Sequence, residues 1–157
     1  MNQFSQFKLR LLQLLLKKPR NDLHCQKGKQ IFACFQCSLY ATLNNVETKP
    51  RRIRIYETEN GKRPFEDWVK DLRDLPTVRR IQARLAGVSA GNLGDVKSVG
   101  EGVSELRLAF GPEFRVYFGA VGDELIILLC GGNKSTQDKD IKKAKEFWSD
   151  YRSKNHE

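Results

Sequence analysis

Residues 104–130, SELRLAFGPEFRVYFGAVGDELIILLC, decide the fold because they form the pattern of three consecutive strands. Apolar and polar residues alternate through 104–110 and again through 114–118, the two-residue period of a strand with one buried face. The Gly-Pro and Gly-Asp pairs between the segments are typical of tight turns. Residues 125–130 are continuously apolar, which indicates a central strand buried on both faces. The stretch therefore predicts an antiparallel meander.

Helical patterns flank the predicted meander. Residues 64–72 and 76–88 place apolar side chains three and four positions apart, and each segment begins at a proline, which suits a first helical turn. After the last strand, Ser135 and Asp138 have the spacing of a helix-capping pair. The helix predicted beyond them carries its apolar stripe to Tyr151.

A further alternating segment, 52–56, predicts one strand before the helices. The predicted order is therefore β-α-α-β-β-β-α. This is a small α+β domain with a mainly antiparallel sheet and its helices packed on one face.

Length and composition exclude several classes of protein. The chain has 157 residues, 39% of them hydrophobic and 30% charged, which suits one globular domain and argues against wholesale disorder. No apolar run reaches the roughly 18–20 residues of a membrane-spanning helix. Four cysteines are too few for a fold stapled by disulfides. The net charge of +9 suits a polyanionic partner such as nucleic acid.

The first third of the chain differs from the rest. Residues 21–45 show no sustained helical or strand period, and residues 1–50 carry most of the positive excess. We expect residues 1–48 to form an N-terminal extension that is poorly ordered or results from a mis-assigned start, with Val46 as the natural beginning. The domain itself is expected to cover residues 49–157.

Two further interpretations of the extension remain open. Cys34 and Cys37 form a CxxC pair that His24 and Cys25 would complete as a zinc site, or all four are scattered residues of an unstructured arm. Residues 4–18 have helical spacing of apolar side chains, which would suit a membrane-surface helix or an organellar targeting peptide.

The strand alternation also indicates a charged patch. Glu105, Arg107, Arg115 and Tyr117 point to the face opposite the apolar residues of their strands. Side chains opposite each other on antiparallel strands approach to about 5 Å, so two arginines there repel unless an anion lies between them. With Lys134 at the rim, the patch would cradle a phosphate, and Tyr117 would stack a base. The alternative is a solvated ladder of ion pairs that only keeps the sheet soluble.

Several stretches between residues 49 and 151 resemble the RelE/HigB-like toxins of bacterial toxin–antitoxin pairs, in the branch often called addiction module killer protein. Asn133 stands where that branch is expected to have an acidic residue. The stretches that carry the resemblance are 63–68 (RPFEDW), 91–97 (GNLGDVK), 100–107 (GEGVSELR), 114–118 (FRVYF) and 129–137 (LCGGNKSTQ).

The resemblance implies a cytoplasmic endonuclease that cuts mRNA on the translating ribosome and needs no metal or other cofactor. It implies a cognate antitoxin, commonly a helix-turn-helix protein, and no membrane. By position, Arg107, Arg115 and Lys134 match the basic catalytic residues of the family. Tyr117, Lys97 and Lys139 are expected to bind RNA.

The sequence indicates the general acid and the general base of the expected reaction less clearly than it indicates the basic residues. Relatives often place a tyrosine or histidine near the last helix, but this chain has histidine only at positions 24 and 156. Glu105 is the candidate base because it is the one carboxylate on the proposed face, and Lys134 is the candidate proton donor to the leaving 5′-oxygen. The alternative is a non-catalytic RNA- or protein-binding module on the same fold, an inactivated toxin.

Overall fold

The structure, a computed structural model, describes residues 49–155. The interpretations that concern residues 1–48, the zinc site at Cys34 and Cys37 and the helix over 4–18, lie outside the described residues. The elements in chain order are β1 (Arg52–Ile55), α1 (Pro64–Asp71), α2 (Leu75–Ser89), β2 (Val96–Gly100), β3 (Val103–Leu108), β4 (Phe114–Val121), β5 (Leu125–Gly132), a short 3-10 helix (Lys134–Thr136) and α3 (Gln137–Lys154).

The predicted α+β class is confirmed. Five strands form one sheet in the order β1-β5-β4-β3-β2, and neighbouring strands from β2 to β5 are antiparallel. Strand β1 is parallel to β5 and lies at the other edge. The sequence pattern did not predict β2, because this edge strand has no fully buried residue and so lacks a strong alternation.

Helices α1 and α2 pack on one face of the sheet and form an apolar core there. Phe65 and Val69 of α1 and Ile81 of α2 meet the even-numbered residues of β3 and β4, such as Leu106 and Val116. The Trp68 ring packs directly against β5, since a Cβ added at Gly131 would come within 2.2 Å of it. The helical spacing that the sequence predicted on this face is confirmed.

Helix α3 packs on the opposite face, so the prediction that all helices share one face is wrong. Ala144 and Trp148 of α3 contact Tyr117, Ile127 and Leu129 of the sheet. The reason is the continuously apolar β5, whose alternate side chains need cover on both faces.

The approach of α3 depends on a glycine in β4. A Cβ at Gly119 would lie 2.2 Å from the Trp148 ring, so only a residue without a side chain lets the indole reach the sheet. A side chain there would force either the ring or the helix outward.

The start of α3 also differs from the expected Ser135–Asp138 cap. Asn133 caps the preceding 3-10 helix instead, because its Oδ1 accepts hydrogen bonds from the backbone N–H of Ser135 and Thr136 at 3.0 and 3.2 Å. In return, the hydroxyl oxygen of Thr136 accepts a hydrogen bond from the backbone N–H of Asn133 at 3.4 Å. This capping box fixes the turn that carries Lys134.

None of the helices within residues 49–155 combines the length and the apolar character needed to cross a membrane.

Candidate functional site

Two arginines define a small cleft on the α3 face of the sheet. Arg107 of β3 and Arg115 of β4 are direct partners in the antiparallel register. They line a cleft of about 150 Å³ together with two carboxylates and an apolar floor. The other lining residues are Asp95, Leu108, Ala109, Glu113 and Phe114.

Arg115 is the most firmly held cation of the cleft. Its side chain is only 9% exposed. Its Nη1 donates a hydrogen bond to the backbone carbonyl of Glu113 at 2.8 Å, and its Nε lies 3.6 Å from the carboxylate of Glu105. That second distance is too long for a hydrogen bond, so Nε is buried without a hydrogen-bond partner among the described residues.

Lys134, in the 3-10 helix just after β5, reaches the Glu113 carboxylate beside Arg115. Its Nζ lies 3.0 Å from Oε2 of Glu113, and the same oxygen lies 3.8 Å from Nη2 of Arg115. The Lys134 side chain is 67% exposed. Glu113 therefore joins the two cations, and we call Arg107, Arg115 and Lys134 with the space between them the basic cleft.

Arg107 pairs with a carboxylate of its own. Its Nε and Nη2 both donate to Oδ1 of Asp95, at 3.1 and 2.6 Å. The backbone N–H of Arg107 also donates to the carbonyl of Asp95 at 3.0 Å. Both side chains remain substantially exposed, so solvent and salt weaken the pair.

Glu105 lies beneath the basic cleft instead of facing it, which corrects its expected position on an open face. Its side chain is 2% exposed, and its Oε2 accepts a hydrogen bond from Nε2 of Gln137 on α3 at 3.2 Å. A carboxylate in this position orients Arg115 and cannot touch a substrate while α3 is packed. The candidate base is therefore buried, because α3 covers this part of the sheet where solvent was expected.

Tyr117 is likewise covered, so the expectation that it stacks a base is wrong for this conformation. The residue is fully buried, and its hydroxyl has no hydrogen-bond partner among the described residues. Burial raises the pKa of Tyr117, and the negative charges of Glu105 and Asp140 raise it further. The alternation correctly put Tyr117 on the face of Arg115 but gave no sign that α3 would lie over it.

The two remaining predicted RNA-binding residues are both exposed but lie in different places. Lys97 on the edge strand β2 is the register partner of Glu105, on the strand next to Arg107. Lys139 follows Gln137 by two positions on α3, which turns it about 200° around the helix from the residue that faces the sheet. The structure thus brings Lys97 near the basic cleft and leaves Lys139 on the outer side of α3.

The ion-pair alternative anticipated the pairing of Glu105 with Arg115, but nothing in the sequence indicated that Asp95 and Glu113 balance the other two cations. Arg107 is matched by Asp95, Arg115 by Glu105, and Lys134 by Glu113. A strand signal for β2 would have paired Asp95 with Arg107. The position of Glu113 was harder to predict from the sequence. It lies in a turn where its backbone is left-handed, with φ of 53°, a conformation that glutamate rarely adopts.

This arrangement suits the binding of a phosphate more than metal chemistry. Guanidinium and ammonium groups bind phosphate oxygens as they bind carboxylates, so an incoming phosphate competes with Asp95 and Glu113 for the same donors. Within residues 49–155 no group of three or more His, Cys, Asp or Glu side chains is placed to hold a metal ion.

Cys130 is buried against α3, and burial raises the pKa of its thiol to about 12, with Asp140 adding to the effect. It is a core thiol.

Comparison with known proteins gives one informative match. No protein-family model matches the chain. An uncharacterized protein of Haemophilus influenzae is 49% identical to it over 81 residues, which cover 52% of this chain and 82% of the relative. Identity at this level over most of the relative's length reflects common descent and a shared fold. The chain therefore belongs to the same family as this uncharacterized Haemophilus influenzae protein.

Proposed function

We propose that the protein is an endoribonuclease that cuts mRNA and so inhibits translation, the toxin of a toxin–antitoxin pair of the RelE/HigB type. The observation that carries the proposal is the direct cross-strand pairing of Arg107 and Arg115 at a solvent-open cleft, with Lys134 bound to Glu113 of the cleft lining. Three cations from separate segments around one small space are suited to a single phosphodiester.

The chemistry would be metal-independent cleavage of RNA. The 2′-oxygen attacks the adjacent phosphorus, and its proton passes to water or to an exposed carboxylate of the cleft, Asp95 or Glu113. Negative charge builds on the non-bridging oxygens, and the bond to the 5′-oxygen breaks, which leaves a 2′,3′-cyclic phosphate and a 5′-hydroxyl. Arg115 is fixed by Glu105 and by the backbone of Glu113, so it needs little reorganisation to stabilise that charge. Lys134, which is exposed, would protonate the leaving 5′-oxygen. Among residues 49–155, the exposed carboxylates that line the cleft are Asp95 and Glu113, and a ribosome that orients the RNA would reduce the need for a stronger base.

The partners follow from this proposal. The substrate would be mRNA, held on the translating ribosome, and the protein would act in the cytoplasm. A cognate antitoxin, expected to be a helix-turn-helix protein, would keep it inactive. The net charge of +9 supports a polyanionic partner.

Expression in bacteria without an antitoxin tests the proposal. We expect the wild-type protein to arrest growth and Lys134→Ala to relieve the arrest, because the variant loses an exposed cation without touching the core. Lys62→Ala is the matched control, since Lys62 is exposed on the loop between β1 and α1. Normal growth with folded wild-type protein, or full arrest by Lys134→Ala, would contradict the assignment.

A second function is favoured by the carboxylates. Because every cation of the basic cleft already has an acidic partner, the same surface would also suit a non-catalytic RNA- or protein-binding module, an inactivated toxin. Such a module binds RNA and leaves it intact. Cleavage products distinguish the two functions, whereas binding alone does not.

A further inference from the structure

Glu113 occupies the place in the basic cleft where a phosphate would bind. Its Oε2 lies 3.0 Å from Nζ of Lys134 and 3.8 Å from Nη2 of Arg115. Its backbone carbonyl accepts the hydrogen bond from Nη1 of Arg115 at 2.8 Å. One residue thus supplies both an anionic and a neutral acceptor to the same guanidinium.

The two sides of this contact differ in how firmly they are held. Arg115 is almost fully buried and rests on Glu105, which in turn is bonded to Gln137. The carboxylate of Glu113 is 55% exposed, and so is most of Lys134. Ion pairs this exposed contribute little to stability, so an incoming anion can displace the carboxylate while the guanidinium stays in place.

We propose that the carboxylate of Glu113 is an internal competitor for RNA phosphate, which lies between Lys134 and Arg115 in the free protein and is displaced when RNA binds. Glu113 therefore sets the affinity of the basic cleft. This inference rests on the proposed function for the identity of the ligand as RNA, but not on cleavage.

Asp95 does not have the same role. Among the described residues its carboxylate is paired with Arg107, and the carbonyl of Asp95, just before β2, also accepts a hydrogen bond from the backbone N–H of Arg107. Displacing the Asp95 side chain would open the space beside one cation. Displacing that of Glu113 opens the space beside two, since it frees Lys134 and exposes Nη2 of Arg115, which stays held by Glu105.

The test compares Glu113→Gln with Asp123→Asn, which changes the net charge equally. Asp123 is exposed in the turn after β4, and Arg115 lies six residues before the end of that strand, about 20 Å away at strand rise. At physiological salt this distance exceeds the screening length of about 8 Å. The matched pair therefore separates a local effect from a general gain of positive charge.

We expect Glu113→Gln to bind a short single-stranded RNA about fivefold more tightly than wild type, the factor that corresponds to one exposed ion pair. Asp123→Asn should change the affinity less than twofold. The slope of log affinity against log salt should be steeper in Glu113→Gln only, because the wild type must break an internal ion pair that salt weakens, and this offsets part of its salt dependence. Inorganic pyrophosphate should show the same order of affinities.

A double-mutant cycle locates the effect at Lys134. In a Lys134→Gln background the gain from Glu113→Gln should fall below about twofold, because one of the two cations that Glu113 occupies is gone. Thermal melting of each variant checks that it is folded. Equal affinities of Glu113→Gln and Asp123→Asn, weaker binding by Glu113→Gln, or no binding of either probe by any variant would overturn the inference. Tighter RNA binding without cleavage would instead support the inference and contradict the nuclease.

Discussion

The two faces of the sheet have opposite characters. The face under α1 and α2 is an apolar core in which Phe65, Ile81 and Leu106 are essentially fully buried. The face under α3 also buries Tyr117, Glu105 and Arg115. Nε of Arg115 lacks a hydrogen-bond partner among the described residues. The face under α1 and α2 also has an unpaired buried polar atom, Nε2 of Gln82. What sets the second face apart is the ion pair of Glu105 and Arg115, because both partners are buried and burying two charges costs stability. The basic cleft lies at the exposed end of that second face.

The largest effect is expected from breaking the buried ion pair on the α3 face. Arg115→Met leaves the Glu105 carboxylate buried without its cation and should lower the free energy of unfolding by about 3–5 kcal/mol. Replacing both partners, Glu105→Leu with Arg115→Met, should restore the stability to the wild-type value or above, by up to about 1–4 kcal/mol. Urea unfolding measures both changes.

The double variant also separates folding from function. It should be as stable as the wild type and bind RNA more weakly, because Arg115 is gone while Arg107 and Lys134 remain. If the double variant were several kcal/mol less stable than the wild type, the buried pair would itself stabilise the fold. That result would contradict the claim that the α3 face costs stability.

A smaller effect of opposite sign is expected at Tyr117. Its buried hydroxyl has no partner among the described residues, so Tyr117→Phe removes an unsatisfied group and should raise the free energy of unfolding by about 1 kcal/mol. RNA binding should be unchanged, because the ring lies under α3 and not in the cleft. A clear loss of stability would mean that the hydroxyl has a partner in solution.

The smallest effect concerns the far end of α3, where Asp150 accepts hydrogen bonds from Lys154 at 2.7 Å and from the Tyr56 hydroxyl at 2.5 Å. These bonds hold the pKa of Asp150 below its ordinary value of 3.8, and Lys154 has the larger influence. A carboxyl whose pKa is lower in the folded state stabilises the fold above its unfolded pKa and loses that contribution as the pH falls through the folded pKa.

Asp150→Asn should therefore unfold more easily than the wild type at neutral pH, and the difference should vanish in acid below the lowered pKa. Urea midpoints of the two proteins over a pH series measure this. A difference that persisted unchanged at the acid end would show that Asp150 acts through packing and not through its charge.

The apolar face was predictable from the sequence, and the polar one only in part. Helical spacing placed Phe65 and Val78 in the core, and strand alternation put Arg107 and Arg115 on a common face, because both signals depend only on local periodicity. The continuously apolar residues 125–130 already required cover on both sides of the sheet. That requirement is the signal from which the position of α3 could have been derived.

The remaining features depend on long-range geometry. The pairing of Asp95 with Arg107 requires β2, whose exposed residues carry no clear pattern. The contact of Glu113 with Lys134 requires a left-handed turn and the end of a strand twenty residues later to meet. The burial of Tyr117 depends on where a helix packs and not on the strand that contains the tyrosine. Local periodicity contains none of these relations.

The most direct test of the central proposal, that the basic cleft cuts RNA, is to map new 5′ ends on mRNA in a cell-free translation reaction. The purified wild-type protein and Lys62→Gln should both produce discrete new ends, and Lys134→Gln should produce them about 10²-fold more slowly, as for the loss of one charge-stabilising donor. Intact mRNA at high concentrations of the folded wild-type protein, or equal cleavage by Lys134→Gln, would contradict the account.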